Sequence, residues 1–113
     1  RAEGWNLEAL EMMSCGRQVI VTDYSAHTEF CNASNSHLID IGPLEPAFDG
    51  IWFNGQGNWA KIGDGQIQQL SDHMRKIHEQ KESNEDIFNL SGIETSKEFS
   101  WENTVESIVA GVL

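Results

Sequence analysis

The sequence predicts an α/β fold in which helices flank a short parallel sheet, and three observations predict it. Residues 6–15 carry apolar side chains at helical spacing and run almost directly into the unbroken aliphatic triplet Val19-Ile20-Val21. A second short aliphatic segment follows one polar connection later, at residues 36–41. Beyond residue 65 the apolar positions recur only at helical intervals. A helix that feeds a strand without polar alternation suits a covered parallel sheet, because such strands bury both faces.

The first helix is expected over residues 6–15: Asn6 is a good N-cap, Leu7, Leu10 and Met13 mark one face, and Gly16 supplies the stop. The first strand covers residues 18–22, and after Asp23 and a polar stretch the pattern His37-Leu38-Ile39-Asp40-Ile41 gives the second. Residues 42–65 hold Pro43, Pro46, Phe48, Trp52, Phe53 and Trp59 without a sustained period, which predicts an ordered loop with room for one strand. Asp64 is placed to cap a helix over residues 66–81, whose stripe Ile67, Leu70, Met74 and Ile77 is assigned to the core. Residues 85–98 predict a weaker helix with Ile87, Leu90 and Ile93 inward, in which Gly92 costs about 1 kcal/mol relative to Ala. Ser100 caps a last helix reaching residue 110, with Glu102 favourably placed in its first turn.

Composition narrows the function. A chain of 113 residues suits one domain, able to bury roughly two thirds of its unfolded surface. The net charge of −11, from 18 acidic against 7 basic residues, repels phosphate backbones and argues against nucleic acid or an anionic membrane as partner. Val19-Ile20-Val21 is far short of the roughly 18 residues of a spanning helix, so a soluble, cytoplasmic protein is expected. Arg1-Ala2-Glu3-Gly4 lacks the pattern of a signal peptide, and we expect the chain to begin inside a longer product. Cys15 and Cys31 are too far apart for a CxxC pair and are expected to be reduced packing residues. His73 and His78 fall on different helix faces, so no metal site is expected.

Chemistry concentrates in two segments: Glu3-Gly4-Trp5-Asn6-Leu7, entering the first helix, and Asp23-Tyr24-Ser25-Ala26-His27-Thr28-Glu29, leaving the first strand. In open α/β sheets ligands sit at the carboxyl ends of strands and the amino ends of helices, so both segments should open onto one crevice. Residues 3–16, with Glu3 and Glu11 at matching spacing, followed by Val19-Ile20-Val21-Thr22-Asp23, resemble the glutamate-x7-glutamate segment of the family-4 retaining glycosyltransferases. Phe99-Ser100-Trp101 is similar to the Phe-Ser-Trp that opens the last helix of that family.

The resemblance implies that residues 1–113 are the C-terminal part of a GT-B donor-binding domain, a single incomplete Rossmann-like unit. The parent would transfer a sugar from a nucleotide diphosphate-sugar to an acceptor hydroxyl with retention, using no metal or other cofactor. Glu3 would be the catalytic carboxylate beside the transferred sugar, and Glu11 would accept hydrogen bonds from the donor ribose. Gly4 and the amides of Trp5, Asn6 and Leu7 would cradle the diphosphate. The acceptor site would lie on an N-terminal domain of the same protein, so this chain alone should be inactive. The exposed sheet edge invites self-association. The sequence departs from the family at Asn6 and Glu8, where glycine and proline are usual, and at Ser25-Ala26, where a glycine pair is frequent. The alternatives are a non-catalytic domain that binds a nucleotide or a partner protein, and a phosphorylase or epimerase of the same fold.

Bland readings hold elsewhere. His27 invites a general-base role, yet a loop histidine is more often a hydrogen-bonded structural residue. Trp5 divides evenly between a staple on the helix and a wall of the donor pocket. Trp52, Phe53 and Trp59 are expected to pin their loop rather than stack on an acceptor.

Overall fold

Asn6 ends the extended entry segment and starts α1, Leu7–Ser14. The computed structural model describes residues 1–112. The Asn6 side chain accepts the Ala9 amide at 3.2 Å, satisfying one of the donors a helix start leaves unpaired. Gly16 then turns the chain at φ +67, and a Cβ there would lie 2.3 Å from the Phe88 ring. Only glycine meets both requirements, so the helix stops where the sequence predicts.

The chain next forms β1, Ile20–Thr22, which pairs in parallel with β2, His37–Ile39, Ile20 opposite His37 and Thr22 opposite Ile39. The expected α/β class, with a short parallel sheet and helices, is therefore present, as a sheet of two strands. Ala9, Met13, Val19, Val21, Phe30 and Cys31 form its core, and Trp5, Leu10, Leu38 and Phe99 pack against it. The Trp5, Phe30 and Phe99 rings meet pairwise at 5.3, 5.4 and 5.8 Å between centroids.

Five expectations need correction. Residues 42–65 contain not a loop with a single strand but an antiparallel hairpin of β3, Leu44–Phe48, and β4, Asn54–Ala60. The β4 sequence is polar and glycine-rich, so no alternation betrays it; turn chemistry sets it instead. The Asp49 carboxylate accepts the amides of Ile51, Trp52 and Phe53 at 2.8, 2.8 and 3.0 Å, which holds its carboxyl below the usual range.

The next helix, α2, spans Asp64–Glu82, and its cap is Gly63, whose amide donates to Gln66 Oε1 at 3.0 Å, rather than Asp64. Its stripe Ile67, Leu70 and Met74 is exposed rather than core. The neighbouring face docks instead: His73 Nε2 donates to the Leu38 carbonyl at 2.9 Å, and Gln69 Oε1 accepts the Asp40 amide at 2.8 Å. The outer edge of β2 leaves backbone groups that polar side chains satisfy and an aliphatic stripe cannot.

The weak helix predicted from residue 85 starts later, as α3, Leu90–Glu98, because Asn89 is its cap. Cys31 is buried, and burial pushes its thiol up, but Cys15 is exposed and does no packing. The last helix, α4, is Trp101–Val112, with Ser100 Oγ accepting the Asn103 amide at 3.2 Å as expected. Among the described residues no helix is long and apolar enough to cross a membrane.

Candidate functional site

The two segments singled out by sequence do meet. Ser25 joins them: the Glu3 amide donates to Ser25 Oγ at 2.7 Å, and the same hydroxyl donates to the Glu3 carbonyl at 2.6 Å. The Ala26 amide adds a longer bond to the Glu3 carbonyl at 3.4 Å. These contacts fold the entry segment over the end of β1 and set Glu3 beside the turn that leaves the strand.

Asn6 and Ser25, one in each of the two segments, occupy backbone that favours glycine. Asn6 stands at φ +71 and ψ +63, in the left-handed region that asparagine tolerates better than most residues. Ser25 stands at φ +83 and ψ −169, a region almost confined to glycine, at a cost of about 1–3 kcal/mol. Each side chain is also engaged, Asn6 as the α1 cap and Ser25 as the link to Glu3. At both positions a polar side chain on glycine-like backbone supplies a hydrogen bond.

Arg1 joins this region to the hairpin. Its Nε donates to the Ala60 carbonyl at 3.0 Å, its guanidinium pairs with Glu45, and its charge lies 4.5 Å from the Trp59 ring centroid. Phe53 packs edge-on against Trp59 at 5.7 Å inside the hairpin, so of the three aromatics expected to pin this segment it is Trp59 that reaches beyond it, to Arg1. Phe53 is 46 % exposed and Trp52, at the hairpin tip, 82 %.

A cavity of about 220 Å³ opens between these parts, bounded by Arg1, Glu3, Asn6, the residues of β1 and His27. His27 is 4 % exposed, and its Nε2 lies 2.6 Å from the Thr22 carbonyl oxygen. Its Nδ1 is buried with no partner among the described residues. A buried polar atom left so costs about 1–3 kcal/mol unless something fills the position. No sequence signal announces this; it follows from the turn of residues 26–29 folding back under β1.

The remaining candidates are spread out. Glu11 does not share the cavity of Glu3. It borders a separate cleft of about 420 Å³ between α1 and α4, with Trp5, Leu10, Phe99 and Trp101. Trp5 belongs to the aromatic cluster and Leu7 is exposed. The amides of Trp5, Asn6 and Leu7 take no acceptor among the described residues, so these three donors leading into α1 are free, whereas the Ala9 amide is held by Asn6. Gly4 is exposed, and no atom lies within 4 Å of where its Cβ would be.

A third cavity, about 350 Å³, lies across the sheet between Gln18, Asn35, His37, Lys76 and Asn89. His37 is held below the usual imidazole range by burial, then by His73, whose ring centroid is 5.3 Å away, and by Lys76. Among the described residues no three His, Cys, Asp or Glu side chains are placed to hold a metal ion together. Comparison with protein-family models, curated proteins and solved structures gives no significant match to this chain.

Proposed function

We propose that this chain carries part of the donor site of a retaining GT-B glycosyltransferase of family-4 type, within a Rossmann-like domain. The observation that carries the reading is the meeting of the Glu3 segment and the post-strand turn at one cavity, through backbone that is glycine-like where the family has glycine. Free amides at the start of α1 suit a diphosphate, since a helix N-terminus favours negative charge. Glu3 at the cavity wall suits a sugar hydroxyl or the charge of an oxocarbenium-like transition state. The reaction moves a glycosyl group from a nucleotide diphosphate-sugar to an acceptor hydroxyl, and this chain calls for no cofactor.

At about 220 Å³ the cavity is smaller than the roughly 300–1,000 Å³ of sites that enclose a drug-sized ligand. It takes one end of the donor; the base pocket comes from the other half of the same donor-binding domain and the acceptor site from an N-terminal domain of the same protein, in the cytoplasm. Isolated, the chain binds without turnover. A second reading, a non-catalytic domain that binds a nucleotide or a partner protein, is favoured by one observation: Glu3 and Glu11 border different cavities.

The test follows the amides of residues 3–11 and 23–29 by NMR during titration with uridine, guanosine and adenosine diphosphate sugars. Saturable shifts confined to those segments support the donor site, and a folded spectrum that no donor perturbs counts against it. In the full-length protein, Glu3→Gln should reduce transfer by at least about a hundredfold, as loss of a preorganised electrostatic group does. Donor binding with no transfer in that protein would favour the non-catalytic reading.

A further inference from the structure

Resting on the nucleotide-sugar reading above, we propose that His27 is a sugar-binding residue, its Nδ1 accepting a hydrogen bond from a hydroxyl of the transferred sugar. The tautomer follows from its partner. The Thr22 carbonyl oxygen, 2.6 Å from Nε2, can only accept, so Nε2 carries the proton and Nδ1 of the neutral ring is a bare acceptor. That atom is buried and unpartnered, and His27 is one of the residues that border the cavity Glu3 also borders.

The other groups around the cavity define what can enter. The Arg1 guanidinium is already engaged by Glu45, the Ala60 carbonyl and the Trp59 ring. Asn6 Oδ1 is used by the Ala9 amide, which leaves its Nδ2 as a donor. The cavity therefore offers two kinds of acceptor, the Glu3 carboxylate and His27 Nδ1, against few free donors. A phosphate brings only acceptors and negative charge, so it is disfavoured here. A polyol ring brings hydroxyls that donate to Glu3 and His27 and accept from Asn6. The sugar end of the donor enters, and the diphosphate stays outside, toward the free amides of α1.

The experiment compares the wild-type chain with His27→Gln, whose side-chain amide reaches the Thr22 carbonyl as Nε2 does but places no acceptor where Nδ1 lies. Both are titrated with uridine, guanosine and adenosine diphosphate sugars and with the matching nucleoside diphosphates. The ¹⁵N resonance of His27 Nδ1 is followed in the wild type, where no substitution can disturb folding. The expected result is a shift of that resonance with a nucleotide sugar but not with the bare diphosphate. His27→Gln should bind the nucleotide sugar roughly three- to tenfold more weakly, the effect of one hydrogen bond, and the bare diphosphate equally well. A nucleotide sugar that binds both proteins alike and leaves Nδ1 unmoved overturns the role of His27 while the donor-site reading stands. Failure of every nucleotide sugar to bind the wild type removes that reading, and the proposal with it.

Discussion

Ser25 shows how a single side chain can hold a site together under strain. Its backbone conformation is one that glycine adopts freely, and two hydrogen bonds to Glu3 offset the cost. Ser25→Ala keeps the strain and loses both bonds, so it should destabilise the chain by about 1–3 kcal/mol and speed amide exchange through residues 3–6. Ser25→Gly relieves the strain, and should free the same amides with a smaller loss of stability; wild-type protection of residues 3–6 in both variants would show that Ser25 does not hold the segment. His37 gives a pH prediction. Its folded-state value lies below the ordinary one near 6.5, so the unfolded chain binds the proton more readily. Stability should be constant above the unfolded value near 6.5 and fall as pH drops below it toward the lower folded value, and His37→Gln should flatten this part of the denaturation profile.

At the scale of elements, buried asparagine does work that apolar packing does elsewhere. Asn89 caps α3 by accepting the Gly92 amide at 2.9 Å, and its Nδ2 donates to the carbonyls of Arg17 and Asn35 at 3.1 and 2.8 Å. It ties the exit of α1, the approach to β2 and the start of α3 at one point. Asn89→Ala leaves three backbone groups unpaired and removes the cap, so a loss of about 2–4 kcal/mol in chemical denaturation is expected. In the hairpin, Asp49→Ala withdraws the acceptor of three amides at the tip. The expected outcome is rapid amide exchange through residues 50–54 with the β1–β2 core unchanged, and a global loss of structure would contradict the separation of these two parts. The helix stop at Gly16, the Asn6 cap and the Ser100 cap were legible because each rests on local backbone chemistry. The hairpin was not, because β4 has no alternating pattern and its turn depends on one carboxylate reaching three amides.

The whole molecule is broad and thin, with extents of 47, 46 and 20 Å and a radius of gyration of 16.7 Å. A compact domain of about 100 residues has a radius near 13 Å. The difference appears as exposed apolar faces: Ile67, Leu70 and Met74 on α2, Val105, Ile108 and Val109 on α4, and Trp52 at the hairpin tip. Exposed apolar side chains of this kind drive association, while the charge of −11 opposes it between identical copies. Light scattering should therefore show mass rising with concentration, and more steeply at high salt as the repulsion is screened. A monomer at every concentration and salt would refute this expectation.

By itself the sequence determined the α/β class, the order of its first helix and parallel strands, the caps that bound them and the two segments that border the Glu3 cavity. These depend on spacing and on backbone preferences that operate within a few residues. Only the tertiary structure decided that the aliphatic stripe of α2 faces outward, that Glu3 and Glu11 border different cavities, and that His27 keeps a buried ring nitrogen free. Periodicity says which residues share a face; what that face meets depends on partners distant in sequence, and here the edge of β2 selected the polar side of the helix.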